Sequence, residues 1–379
     1  MNIKVAINAC GLHVGGGVQV AVSFIDELSR LDILDLDIHI FVSTEVDVNL
    51  FKISSKIRNT KNYKVLDTYG LNSFFSSLNK ELKQFALVFS VFGPSYLRQN
   101  GNIEIMGFAQ PWIIDTSAYK KLTLKARIKS RAKFFIQSLF FRRAKKLVVE
   151  LEHVKAGLIK KGIAKSQDIE IVHNCISSTY LDRTQWEALP RKISKQRFSI
   201  GFLGRDYPHK NTTILPAIKS VLQKKHGLDV DFFVTFNEIE WRTKPHSFKS
   251  QIINIGTLSV AQCPCFYQFL DAVIFPSVLE CFSATPLEAM AMKKPLFASD
   301  RGFVRDICGD FALYFDPFNE ESAADVIAEY IKNRKGIDGA RLAAAREHVL
   351  KFSSARGRAE RYLEIIRNTL AEQASKNSN

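Results

Sequence analysis

Residues 276–295 read PSVLECFSATPLEAMAMKKP and set two carboxylates, Glu280 and Glu288, on either side of a turn of small residues that opens a helix. Thr285, Pro286 and Glu288 form T-x-x-E with proline at the first helical position, the pattern of a capping box. A reciprocal cap would explain Glu288 but leaves Glu280 at the exit of a strand with no structural purpose. A small-residue turn such as Phe282, Ser283, Ala284 and Thr285 feeding a helix presents unpaired N–H groups and a partial positive charge, which suits phosphate. Carboxylates beside a phosphate repel it. They would accept hydrogen bonds from the hydroxyls of a sugar or ribose instead, and a nucleotide sugar carries both kinds of group.

A second constellation is FSIGFLGRDYPHKN at 198–211, an apolar strand ending in glycine and followed by Arg205 and Lys210. Two cations just past a strand end can bracket a diphosphate, arginine through its planar fork and lysine as a point charge, although a solvated basic turn would look the same. A third is NACGLHVGGGVQVAVSFIDEL at 8–28, where Gly15, Gly16 and Gly17 permit an anion to approach the backbone closely. This turn is not G-x-G-x-x-G, which weakens a nicotinamide reading. His13 beside it reads as an ordinary loop residue. Two D-x-D triplets, Asp35 to Asp37 and Asp229 to Asp231, sit at the starts of apolar strands, away from the edge where ligands bind, and read as solvated strand starts rather than metal ligands.

The elements that must position these residues alternate from end to end. Apolar segments IKVAINAC, DIHIFVS, LVFSVF, IEIMGFA, KLVVE and IEIVHN form one group, and FSIGFLG, DVDFFVTF, QIINIGT, AVIFPS, PLFAS and ALYFD a second, with helical patterns between them. Such alternation predicts two doubly wound α/β units with parallel sheets. The polar stretch SSTYLDRTQWEALPRKISKQR at 177–197 reads as a linker. The expected domains are therefore 1–185 and 195–354, with an amphipathic C-terminal helix over 355–375. A length of 379 residues also favours two domains over one.

Hydrophobic residues make up 46% of the chain and charged ones 24%, the balance of a folded protein. No apolar run reaches the ~20 residues of a membrane span and the start lacks the layout of a secretion signal, so a cytoplasmic protein is expected. The six scattered cysteines are expected to be reduced, with neither disulfides nor a structural metal. The formal charge is +15, and residues 1–172 hold 25 Lys and Arg against 15 Asp and Glu. Residues 120–146 contain 11 Lys or Arg and no acid, interleaved with Phe134, Phe135, Ile136, Leu139, Phe140 and Phe141. A basic aromatic helix of this kind suits an anionic membrane surface, the alternative being a core-packed helix with a basic outer face. Nucleic acid lacks any supporting module.

Together these motifs resemble the retaining GT-B glycosyltransferases of family 4, also called group 1, over nearly the whole chain. PSVLECFSATPLEAMAMKKPLFASDRGFVRDICGDFALYFDP resembles that family's E-x7-E region with its small-residue and G-D-x-A-x-x-F-D-P segments, GRDYPHKN its Arg…Lys phosphate motif, GGGVQVAV its N-terminal glycine loop and IEIVHNCI the strand leading out of the first domain. The resemblance implies two Rossmann-like domains facing each other across a cleft. It makes Arg205 and Lys210 catalytic ligands of the donor diphosphate, Glu280 the residue holding the transferred sugar and Glu288 the acceptor of ribose hydroxyls. Residues 282–285 would complete the donor site, with Gly16 and Gly17 approaching the distal phosphate.

The chain departs from the family at Cys281 and Ser283, where glycines are usual, and at Gln110 in GFAQPWIIDTS, where a histidine commonly faces the sugar. The implied reaction is sugar transfer with retention from a nucleoside-diphosphate donor, UDP or GDP being the expected nucleotides, with no cofactor and no metal. The implied acceptor is a glycan, lipid-linked in many relatives that build bacterial surface polysaccharide of O-antigen or capsule type. That places the enzyme peripherally on the inner face of the cytoplasmic membrane. The alternatives are a GT-B epimerase or phosphorylase, and a non-catalytic basic protein on membrane or nucleic acid.

Overall fold

Strands that are apolar on both faces pair in parallel when helices cover both sides, and this happens twice. The computed structural model describes residues 2–377 except 54, 99, 118, 120–122 and 334–337. Contacts divide the chain into one unit of Met1–Cys175 with Ser353–Asn379 and a second of Ile176–Phe352.

The first unit contains β1 (Ile3–Ala9), β2 (Leu36–Val42), β3 (Tyr63–Val65), β4 (Leu87–Ser90), β5 (Ile103–Gly107), β6 (Lys146–Val149) and β7 (Ile169–Ile171). They form one sheet in the order β3-β2-β1-β4-β5-β6-β7, parallel throughout. The helix Gly16–Leu28 follows β1 and buries Val18, Ala21, Val22, Phe24, Ile25 and Leu28, the i, i+3, i+4 stripe of an amphipathic helix. The C-terminal helix Ala355–Asn377 returns to the same unit. Its Ala359, Tyr362, Leu363 and Ile366 are buried at the same spacing, and the Tyr362 ring meets Phe24 at 4.9 Å and Phe89 at 5.1 Å.

The second unit contains β8 (Phe198–Phe202), β9 (Val230–Val234), β10 (Ile252–Asn254), β11 (Ala272–Phe275), β12 (Leu296–Ser299) and β13 (Leu313–Phe315), in the order β10-β9-β8-β11-β12-β13. All neighbours are parallel. The order reverses between β8 and β11, and ligands of such sheets bind beyond the carboxyl ends of the strands at the reversal. The loops that carry Arg205, Lys210 and Glu280 leave those two strands. A Cβ on Gly201 in β8 would fall 2.1 Å from a Leu270 methyl, so a larger residue there forces Leu270 to shift.

Residues 177–187 are not a bare linker. They form two 3-10 turns, Ser178–Tyr180 and Arg183–Gln185, and the Glu187 amide donates to the Ala261 carbonyl at 2.9 Å, attaching the segment to the second unit. The D-x-D triplets lie at the amino ends of β2 and β9 and are held by arginines: Arg367 meets Asp35 at 2.7 Å, and Arg197 meets Asp229 at 2.8 Å and Asp231 at 3.4 Å.

Glu150 and Arg358 form a buried polar knot in the first unit. Arg358 is 2% exposed and hydrogen bonds Asn174, and burial pushes the Glu150 carboxyl up to about 7 against an ordinary 4.5. Between those values the folded chain holds a proton that the unfolded chain has released, so stability falls as pH rises from about 4.5 to about 7. The full drop is on the order of 3 kcal/mol. Chemical denaturation at a series of pH values should show this slope in the wild type and its loss in Glu150→Gln.

Candidate functional site at the carboxyl ends of β8 and β11

The loop after β8 is built around two carboxylates. Gly204, at φ +143°, turns the chain. Arg205 then donates from Nε to Glu240 Oε1 at 2.6 Å, and the same oxygen accepts the Asp206 amide at 3.1 Å. Glu240 is in turn fixed by a capping box with Asn237 at the start of Glu238–Arg242, its Oε2 accepting the Asn237 amide at 3.0 Å. Arg205 stays 54% exposed on its side chain, so its fork faces solvent while its Nε is anchored. Asp206 points the other way and meets the buried Lys244 Nζ at 2.7 Å and the Thr212 hydroxyl at 2.5 Å. Lys244 also lies over the rings of Phe236 and Phe248, at 5.2 and 4.8 Å. The loop ends at Asn211, in the left-handed region at φ 57°, whose side chain donates to the Pro317 carbonyl at 2.7 Å.

Lys210 reaches across to the loop after β11. Its Nζ meets Glu280 Oε1 at 2.6 Å, and the Ser277 hydroxyl donates to the same oxygen at 2.5 Å. Both side chains are nearly buried, and the Val278 amide donates to the His209 carbonyl at 2.8 Å, stitching the two loops together. Burial holds the His209 imidazole below its usual value, partly offset by Glu280.

The helix Ala284–Ala291 starts two residues earlier than a capping box at Thr285 requires. Its N-cap is Ser283, which makes no side-chain capping bond, and the Thr285 hydroxyl donates to the Leu203 carbonyl at 3.5 Å. Glu288 is therefore not a reciprocal cap. Its Oε2 accepts the Tyr267 hydroxyl at 2.8 Å, and Tyr180 lies against the same carboxyl. Burial raises the Glu288 carboxyl, while the two phenols and the nearby Lys210 pull it down. The first-turn N–H groups of Ala284 and Thr285 are left without a side-chain cap, an arrangement able to receive an anion.

Arg205, Lys210, Glu280, Glu288 and residues 282–285 thus gather on two adjoining loops and one helix start of the second unit. Gly16, Gly17 and Gln110 belong to the first unit. Gly16 and Gly17 begin the helix Gly16–Leu28, with the positive φ carried by Gly15, and Gln110 is the N-cap of Pro111–Ile114. His13 is more than a loop residue: its ring stacks on Tyr69 at 4.2 Å and its Nε2 lies 2.9 Å from the Thr68 carbonyl. Sequence reasoning missed Glu240, Lys244, Tyr180 and Tyr267. The N-x-x-E spacing of Asn237 and Glu240 was the one signal available for the first, and the other three are recognisable only through long-range contacts.

This fold is that of the GT-B glycosyltransferases. Residues 187–347, within the second unit, match the family model described as glycosyl transferases group 1. A glycosyltransferase from Rickettsia africae matches 97% of this chain with 99% of its own at 18% identity and a TM-score of 0.69. HepE of Anabaena, solved with UDP and glucose, matches 97% of this chain with 100% of its own at 13% identity and a TM-score of 0.65. The lipopolysaccharide outer core galactosyltransferase WaaB, in its apo form, matches 97% with 100% at 13% identity and 0.61. Among curated proteins, the O-antigen chain mannosyltransferase RfbU of Salmonella typhimurium is 25% identical over 201 residues, which are 50% of this chain and 54% of that one. The chain thus spans about half the length of this curated relative.

Lys244 stands behind the loop that presents Arg205. Lys244→Ala would leave Asp206 a poorly paired and largely buried charge, and it should destabilise the second unit by about 3 kcal/mol in a denaturant titration. An unchanged midpoint would show that the pair does not hold the loop.

Proposed function

We propose that the protein transfers a sugar, with retention of anomeric configuration, from a nucleoside-diphosphate donor to a glycan acceptor, lipid-linked or oligosaccharide, in bacterial surface polysaccharide synthesis of O-antigen or capsule type. One observation carries this reading: two cations, each seated on a carboxylate, and an uncapped helix start meet at the reversal point of the second sheet. Fixed positive charge there neutralises the diphosphate as it leaves, work that a divalent ion would otherwise do. Arg205 and Lys210 take the phosphate oxygens together with the N–H groups of Ala284 and Thr285. Glu280 accepts a hydroxyl of the transferred sugar, and Glu288, aimed by Tyr267 and Tyr180, accepts the ribose hydroxyls of UDP or GDP. The group 1 family match, the O-antigen relative and the UDP-bound neighbour support this assignment.

The first unit takes the acceptor in this reading. Gln110 precedes Trp112, whose ring stacks on Phe134 of the basic helix Leu124–Phe141 at 6.0 Å. That helix is the proposed contact with the anionic inner face of the cytoplasmic membrane, where a lipid-linked acceptor would lie. Of its 18 residues only Gln137, Ser138 and Phe141 are buried, which favours this contact over the core-packed alternative. No helix among the described residues is long and apolar enough to cross a membrane. Residues 120–122, the start of the basic stretch, lie outside the described residues.

Glu280→Gln separates the roles. Removing one negative charge from beside Lys210 should tighten binding of UDP or GDP about tenfold. Transfer from the nucleotide sugar should fall about a hundredfold or more, because the sugar loses its charged acceptor. Calorimetric titration and product analysis by mass spectrometry read the two effects. Unchanged transfer with weaker nucleotide binding would overturn the assignment.

A further inference from the structure

The 3-10 turn Gly70–Phe75 displays an apolar cluster to solvent: Tyr69 is 60% exposed, Leu71 57% and Phe75 80%, with Phe74 beside them. Exposed large apolar residues scattered singly need no explanation, but four of them within seven residues do. The turn is also well held. Arg98 lies over the rings of Phe74 and Phe75 at 4.6 and 5.8 Å and donates from Nε to the Phe74 carbonyl at 3.0 Å. Asn79 accepts the Arg98 amide at 2.7 Å and donates to the Ser73 carbonyl at 3.0 Å. Apolar side chains are therefore kept outward by a built scaffold.

The same segment leads to the basic helix. Two residues before Arg98, the Tyr96 ring meets Phe140 at 4.8 Å and its hydroxyl accepts from Gln137 at 3.0 Å, while Arg143 donates to the Leu97 carbonyl at 2.9 Å. Tyr96, Leu97 and Arg98 thus tie the aromatic turn to the C-terminal end of Leu124–Phe141, where Phe135, Ile136 and Leu139 are exposed. The first unit therefore offers two exposed apolar clusters linked through Tyr96, Leu97, Arg98 and Arg143, the second of them on a helix that carries no acidic residue.

We infer that the turn Tyr69–Phe75 is a second membrane anchor, which inserts Leu71, Phe74 and Phe75 among the lipid acyl chains while the basic helix holds anionic headgroups. The occupant is a bilayer rather than a protein groove because the charge is of one sign, spread along a helix, and contiguous with the apolar clusters. This inference rests on the membrane reading above and adds a division of labour. Electrostatic attachment is screened by salt, whereas insertion of apolar side chains is not.

The test is flotation of the full chain with vesicles of phosphatidylcholine and phosphatidylglycerol at about 0.1 M and about 1 M salt. Leu71→Ser with Phe75→Ser should weaken binding at least about tenfold at both salt concentrations, since two exposed side chains lose their burial in lipid. A quadruple change of the exposed helix residues Lys125, Lys129, Arg131 and Lys133 to Gln should weaken it at low salt alone. Phe75→Trp should also gain fluorescence quenching by brominated phosphatidylcholine beyond that of the native tryptophans. Thermal midpoints and nucleotide binding serve as folding controls. If the wild type does not float, the membrane reading itself fails. If it floats and the serine variant floats equally with no quenching at position 75, the helix acts alone and this inference is overturned; capture of a soluble protein by the turn in place of vesicles would overturn it too.

Discussion

The ion pair between Lys210 and Glu280, at 2.6 Å and almost out of solvent, is the constraint on which the site depends. A lone ammonium or carboxylate could not occupy that position without a desolvation cost of several kcal/mol, so each group makes the other possible. The pair joins the loops that leave the two strands on either side of the sheet's reversal. The Ser277 hydroxyl completes the shell of the shared oxygen, and the Val278 amide bonded to the His209 carbonyl fixes the register of the two loops. A cation held in this way is already desolvated and aimed before any anion arrives. Electrostatic stabilisation of a leaving group demands that preorganisation.

Arg205 follows the same logic by different means. It remains exposed, yet its Nε is fixed on Glu240, which is itself locked by the helix cap at Asn237, and the next residue, Asp206, is clamped from behind by Lys244. Each cation at the strand ends is backed by a carboxylate, and these carboxylates belong to elements far apart in sequence. Glu288 shows the complementary arrangement, in which phenols from the helix Cys263–Phe269 and from the 177–187 segment orient a half-buried carboxyl near Lys210.

Much of this was legible in the sequence, and the exceptions have physical causes. Twelve of the thirteen strands coincide with the apolar segments read from the chain, because both faces of a parallel sheet are covered and the runs are continuous. The missing one, β3, has three residues, two of them exposed at the sheet edge, and so lacks an apolar signature. Arg205, Lys210, Glu280 and Glu288 could be singled out because strand ends and helix starts mark where ligands of such sheets bind. Tyr180 escaped notice because a polar stretch reads as linker, and nothing local reveals that it folds back on Cys263 and Glu288. The capping box at Thr285 failed for a related reason: a match to local spacing was outweighed by Tyr267, which claims the Glu288 carboxylate from twenty-one residues away. The basic helix was legible in composition, but that Phe135, Ile136 and Leu139 point outward while Phe141 is buried was not.

The central claim is that the cations at the ends of β8 and β11 exist to receive a diphosphate. It is tested most directly by calorimetric titration of UDP and GDP, and of the matching nucleosides, into the wild type and a variant carrying Arg205→Ala and Lys210→Ala. The account predicts that the wild type prefers a diphosphate to its nucleoside and that the double variant binds the two alike. A double variant that still folds and still prefers the diphosphate would contradict it.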